Sequence, residues 1–201
     1  MSNAPQAPRL ALLSMDEVSR IAPEAGIPAE LTDRNLFRIL LHSPRVAKAI
    51  QELLYAQLFG ATLDGRLREL VIMRIGWATG CDYEWAQHWW TAQKAFGCNA
   101  DDLLAVREWQ TSPRFGAVER AVLAATDETL ATGTISPETW ALCQTHLGSP
   151  QACLELVTVI ATWHLISLVA NSLQIPVEGD TPSWPPDGRI PSDGMTRRSS
   201  R

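Results

Sequence analysis

Cysteine is scarce in this chain and unpaired in its spacing. Cys81, Cys98, Cys143 and Cys153, four in 201 residues, show neither zinc-ligand pairing nor the density of a disulfide scaffold. Reduced thiols are expected, with Cys98, Cys143 and Cys153 as small packing residues. Basic charge is short as well: 17 Lys and Arg against 22 Asp and Glu leave a net charge of -5. Only Arg197, Arg198 and Arg201 cluster, so no extended phosphate-neutralising surface is expected and nucleic acid is not an expected partner. No apolar run approaches the roughly twenty residues that cross a bilayer. Met1 to Arg9 also lacks the basic-then-apolar order of a secretory signal. A soluble cytoplasmic protein with no membrane partner is the expectation.

Alternating strand patterns are missing too, and what remains is helical. At 46% hydrophobic and 19% charged, the chain can bury the core of a single domain. Residues 1–9 read as a flexible lead and residues 10–175 as the domain. Ser14 to Val18 resembles a short capped helix, and Asn35 to Leu40 a second short one. From Ser43-Pro44, apolar Val46, Ile50, Leu53, Leu54 and Leu58 recur at three- and four-residue steps as far as Phe59-Gly60. The next helix begins near Asp64, is apolar around most of its circumference and should be central. A further helix runs from about Asp82 to Phe96. Others follow around Asp101–Trp109, Val118–Ala131, Pro137–His146 and Gln151–Ser172, with glycines at several breaks. Residues 176–201 are rich in Pro and Gly and read either as a disordered tail or as an arm onto a neighbouring subunit, Trp184 favouring the arm.

Chemistry concentrates between Glu69 and His88. Cys81, Glu84 and His88 are spaced three and then four apart, so one helical face carries all three. Cys81 falls at the helix amino end, where the macrodipole favours an anion and can lower a thiol pKa. Glu84, one turn before His88, can orient the imidazole or exchange a proton with it, although a Glu–His pair at this spacing also occurs as an ordinary surface contact. Glu69 interrupts the most apolar helix. It must be exposed, paired or functional, and burial would raise its pKa towards an acid–base range.

The stretch from Arg68 to Gly97 resembles the core motif of the carboxymuconolactone decarboxylase family, and the similarity extends from about Asn35 to Val177. The wider superfamily includes alkylhydroperoxidase-D-like proteins with a Glu, a Cys-x-x-Cys pair and a His in register. Here Glu69, Cys81 and His88 match, while Glu84 stands where the second Cys belongs. A dithiol peroxidase needs that resolving thiol to collapse a sulfenic acid. The pattern therefore looks like the non-redox, decarboxylase-type branch.

The resemblance implies an all-α, alkylhydroperoxidase-D-like bundle of about seven to eight helices. It also implies a small cyclic carboxylic acid or lactone as substrate, a cofactor-independent lyase or isomerase reaction, and a trimeric or hexameric homo-oligomer. In that reading His88 is the principal proton donor or acceptor, Glu84 its orienting or second acid–base partner, Glu69 a relay and Cys81 a bystander. Neither step requires a metal or organic cofactor, and Glu69, Glu84, His88 and Cys81 match no common metal site. Arg74 is a candidate for holding a substrate carboxylate, with a structural ion pair as the alternative. Trp77, Tyr83 and Trp85 are candidate pocket walls, packing explaining them equally well. His164, which interrupts the apolar helix after Leu154, is a candidate to face the site. Two alternatives remain open: a Cys81-dependent peroxidase, and a non-catalytic binding or scaffold protein of the same fold.

Overall fold

The computed structural model describes residues 7–179 and 181–192; the start of the expected lead and the end of the tail, including Arg197, Arg198 and Arg201, lie outside the described residues. Within them the chain forms nine α-helices and no strand. Two of the nine, α2 (Asn35–Leu40) and α6 (Ala100–Ala105), have only six residues; the nine segments read from the sequence are all present, one or two more than the resemblance implies.

Side-chain caps set most starts. α1 (Met15–Ala25) follows Ser14, whose hydroxyl accepts the Glu17 N–H while the Glu17 carboxylate accepts the Ser14 N–H. α3 (Pro44–Phe59) places proline where no N–H is needed. Asp64 caps α4 (Gly65–Ala78) by accepting the Leu67 N–H at 3.0 Å. α5 (Asp82–Phe96), α7 (Ala117–Thr132), α8 (Pro137–Leu147) and α9 (Pro150–Leu173) complete the set. The segment expected as one helix to Trp109 divides, because after α6 the chain tightens into a 3-10 turn at Val106–Glu108.

α4 is the central element. Leu70, Val71, Ile72, Met73 and Ile75 are fully buried among α5, α7 and α9, each side chain contributing roughly 1.5–3 kcal/mol by leaving water. Gly76 marks its crossing with α5: a Cβ there would stand 3.2 Å from the Trp85 backbone nitrogen, so a side chain would push the helices apart. A second, smaller core joins α1, α2, the start of α3 and the far end of α9. Three charged residues of α4 are buried, Arg68, Glu69 and Arg74. A buried charge must be paired. Arg74 grips Asp127 through two bonds of 2.6 and 2.9 Å and donates to the carbonyls of Val106 and Arg107.

α9 corrects one expectation from the sequence: at 24 residues it has the length and composition of a membrane-crossing helix. Between Leu156 and Val177 there is no Asp, Glu, Lys or Arg. Half of it is nevertheless buried in this chain. Leu156, Ile160, Trp163 and Ile166 turn inward, while Leu154, Val157, Leu165 and Leu168 form an exposed apolar stripe.

The described part of the Pro/Gly-rich segment, residues 176–179 and 181–192, straps across its own domain. Glu178 accepts from the Asn35 N–H, the Tyr83 hydroxyl and the Gln87 amide. Asp82 accepts from the Ser183 hydroxyl and the Trp184 N–H, and the Trp85 indole donates to the Pro185 carbonyl at 2.7 Å. Arg107 binds Asp187 through both arms, and Arg189 binds Glu108. Trp184 packs edge-on against Trp77 and tilted against Trp85. Composition alone reports only the segment's own apolar surface; its order comes from polar partners waiting on α5 and the 3-10 turn.

Candidate functional site

Where α4 crosses α5, three ionisable side chains expected to act together are brought together. Glu69 is fully buried and its Oε2 lies 2.7 Å from Nδ1 of His88. Glu84, one turn before His88, has its Oε2 3.7 Å from Nε2. The imidazole is therefore oriented by Glu69 from the neighbouring helix, and Glu84 makes only a long contact. This reverses the supporting roles expected from spacing, because the i,i+4 neighbour runs alongside the ring while the partner across the crossing meets its edge.

Two further residues complete the cluster, and sequence reasoning nominated neither. Trp163 of α9 donates its indole N–H to Nε2 of His88 at 2.9 Å, the two rings meeting edge to face. Arg68, itself buried, stands over the Phe96 ring and places Nε 3.5 Å from Oε1 of Glu69. One arm reaches the Gln57 carbonyl at 3.3 Å. Its Nε and Nη2, which form the guanidinium's open fork, have no hydrogen-bond partner among the described residues; nor do Oε1 of Glu69, Oε2 of Glu84 and Oε1 of Gln57. Leaving a buried polar atom unpaired costs about 1–3 kcal/mol, and of the seven such atoms among the described residues five belong to Gln57, Arg68, Glu69 and Glu84, the other two being Arg107 Nε and Ser167 Oγ.

Electrostatics separates the groups. Burial pushes the Glu84 carboxyl up to about 7; nearby His88 acts in the opposite sense, and Glu69 adds to the rise. At neutral pH that carboxyl is poised between acid and base. For His88 burial is the largest influence and disfavours the imidazolium, yet the Glu69 carboxylate and its hydrogen bond outweigh it, so the surrounding charges raise the pKa. Among the described residues no group of three or more His, Cys, Asp and Glu is arranged to hold a metal ion.

At Cys81 one expectation is corrected, that the helix terminus lowers the thiol pKa. The residue stands at the amino end of α5 as expected, but it is fully buried in the smaller core, and burial followed by the Glu84 charge pushes its thiol up to about 12. The favourable helix terminus is overcome by desolvation, leaving a thiol and not a thiolate. Cys98 lies in the larger core, its pKa pushed up to about 11, again chiefly by burial.

The expected substrate-binding residues also lie elsewhere. Arg74 is committed to Asp127 and two carbonyls, the structural alternative of its expectation. Tyr83 accepts the Leu36 N–H and donates to Glu178, anchoring the strap. Arg107 lies 4.7 Å from the rings of both Trp77 and Trp85, which contact each other and pack on Trp184, so they wall the strap's seat. His164 is half-buried, and no hydrogen bond or ion pair among the described residues joins it to the cluster; its neighbour Trp163 faces the site instead. A groove of about 480 Å³ between α8 and α9, lined by Trp140, Cys153, Leu154 and Val157, shares no residue with the cluster.

The all-helical bundle has an alkylhydroperoxidase-D-like fold. Residues 44–128, from α3 into α7 and including Glu69, Cys81, Glu84 and His88, match the sequence model of the carboxymuconolactone decarboxylase family. No curated protein matches the chain in sequence. Solved structures do share the fold. An uncharacterized peroxidase-related protein from Silicibacter sp. TM1040 superposes with a TM-score of 0.70 at 14% identity, covering 89% of this chain and 96% of its own. A protein of unknown function from Agrobacterium tumefaciens, described as a putative antioxidant defence protein AhpD, gives 0.61 at 21% identity over 68% and 94%. A cysteine-to-alanine variant of the debrominase Bmp8 in complex with 2,3,4-tribromopyrrole gives 0.68 at 19% identity over 88% and 93%.

Proposed function

We propose that this protein is a cofactor-independent lyase or isomerase that moves a proton on a small cyclic carboxylic acid or lactone, with Glu84 as the proton-transferring group. One observation carries the reading: a buried carboxyl with a pKa of about 7 keeps Oε2 free of hydrogen bonds, 3.7 Å from a histidine already held by another residue. In a decarboxylation the breaking C–C bond leaves its electron pair on the substrate as a dienolate while carbon dioxide departs. The Glu84 carboxyl then delivers its proton to carbon and is left as a carboxylate. In an isomerisation the ionised form removes a proton from one carbon and returns it to another. Matching the acid's pKa to neutral pH favours either step, typically by 10²–10⁴-fold.

Arg68 takes the role expected of Arg74. Its Nε and Nη2 make no hydrogen bond, Nε meeting Glu69 only as an ion pair at 3.5 Å, so the planar edge can take up a carboxylate, while Phe96 and the Gln57 carbonyl hold the guanidinium in place. Glu69 fixes His88, and His88 sets the field at Glu84. A Cys81 peroxidase is disfavoured, because a buried thiol with a pKa near 12 supplies almost no thiolate. The exposed stripe of Leu154, Val157, Leu165 and Leu168 supports assembly into a homo-oligomer.

The test is turnover of carboxymuconolactone and related cyclic acids in deuterated water, followed by mass spectrometry. The wild type should form product carrying solvent deuterium at carbon. E84Q should lose at least about 100-fold in kcat, H88Q should also lose activity, and R68K should raise KM, all with helical circular dichroism intact. Wild-type turnover retained in E84Q, or a complete absence of exchange in the wild type across the panel, would remove the reading.

A further inference from the structure

We infer that Trp163 is a positioning residue which fixes the proton of His88 on Nδ1 and thereby reserves the exchangeable proton of the site for Glu84; the second half rests on the reading above, the first does not. An indole N–H is a donor with no lone pair to offer. At 2.9 Å from Nε2 it requires that nitrogen to be the acceptor, so Nδ1 carries the hydrogen and donates it to Glu69 at 2.7 Å. Both ring nitrogens are then satisfied in the neutral imidazole. Protonating Nε2 would set two N–H donors against each other in a buried place where neither can turn to water.

The neighbouring charges pull the other way. Glu69 and Arg68 act on the ring from α4 and Glu84 from its own helix, with the Cys98 thiol on the Glu69 side; from α9 the uncharged Trp163 meets it. The sum favours an imidazolium. The indole opposes it. Without the indole, Nε2 is free to take a proton and close the 3.7 Å gap to Oε2 of Glu84 as an ion pair. A cation beside that carboxyl lowers its pKa, and the site's acid would be ionised at neutral pH. Trp163 thus keeps apart two groups that would otherwise neutralise each other.

The decisive measurement is long-range ¹H–¹⁵N correlation of the imidazole resonances in uniformly labelled protein, with His88 assigned by loss of its signals in H88Q. The wild type should show a protonated Nδ1 and an unprotonated Nε2 from pH 6 to 8. W163F should show a cationic ring over the same range, and in turnover the alkaline limb of its pH profile should move down by about one pH unit. A wild-type ring that is cationic, or protonated on Nε2, overturns the inference whether or not W163F folds. A folded W163F with a wild-type spectrum overturns it as well. Because the spectra need no substrate, a wild type without turnover but with the Nδ1–H tautomer would refute the proposed reaction and leave the tautomer lock standing.

Discussion

Replacing Glu84 with glutamine removes a proton-binding group whose affinity differs between the folded and unfolded chain, so its signature is a change in the slope of stability against pH. In the fold the carboxyl titrates at about 7; in the unfolded chain it returns to the ordinary 4.5. Between those values the unfolded state releases the proton and the folded state keeps it. A raised folded pKa gives stability that is complete below pH 4.5 and is lost as pH rises through 7, here about 3 kcal/mol at 1.36 kcal/mol per pH unit. Groups held low act in a different window. The carboxylates of Asp102, Glu119 and Asp187 have lowered pKa values, so their contributions vanish only as pH falls below their ordinary values. Urea unfolding at half-unit pH steps, followed by circular dichroism at fixed protein concentration, should show wild-type stability declining relative to E84Q by about 3 kcal/mol from pH 4.5 to 7.5. Parallel curves would mean that Glu84 is not protonated in the folded core, and the acid–base reading would lose its foundation.

Further outcomes follow from the same contacts. W184A should cost about 3 kcal/mol, since a buried indole is lost from the strap's seat, and urea unfolding measures it; an unchanged midpoint would mean the strap contributes nothing. R74Q leaves the Asp127 carboxylate with the neutral donors Trp109 and Gln110 and no ion pair among the described residues, and should cost about 3 kcal/mol, whereas a loss under about 1 kcal/mol would return Arg74 to the list of ligand-binding candidates. All four cysteines are buried, so a disulfide-exchange reagent should release no thiol signal from native protein until denaturant is added. C81A should keep turnover, and a collapse of kcat in a folded C81A would restore the cysteine to the mechanism.

The helices and the place of the site were legible because both are written in local spacing. Ser14 and Asp64 announce starts through caps that bond three residues ahead, and the apolar circumference expected of α4 is buried in the fold, whereas Val46 and Leu53 of the stripe expected on α3 are exposed. The division of labour inside the site was not legible, because it depends on which face meets which across helices. Glu69 and His88 are 19 residues apart, and His88 and Trp163 are 75. His164 drew notice as a polar break in an apolar helix, yet one residue's rotation of about 100° gives the inward position to Trp163. Cys81 was misread for a related reason: the helix terminus is visible in sequence, but the side chains of α2 and α9 that desolvate it are not. The strap shows the same limit, since Asp187 is ordinary until Arg107 arrives from 80 residues away.

The seat of that strap has an optical consequence. Trp77, Trp85, Trp89 and Trp184 form a chain of indoles with successive ring centroids 5.4 to 6.5 Å apart, and Arg107 lies against two of them. At such separations the chromophores couple and excitation passes between them. Near-ultraviolet circular dichroism and fluorescence anisotropy therefore read the group as a unit, and withdrawal of Trp184 alone alters both signals without any label attached to the protein.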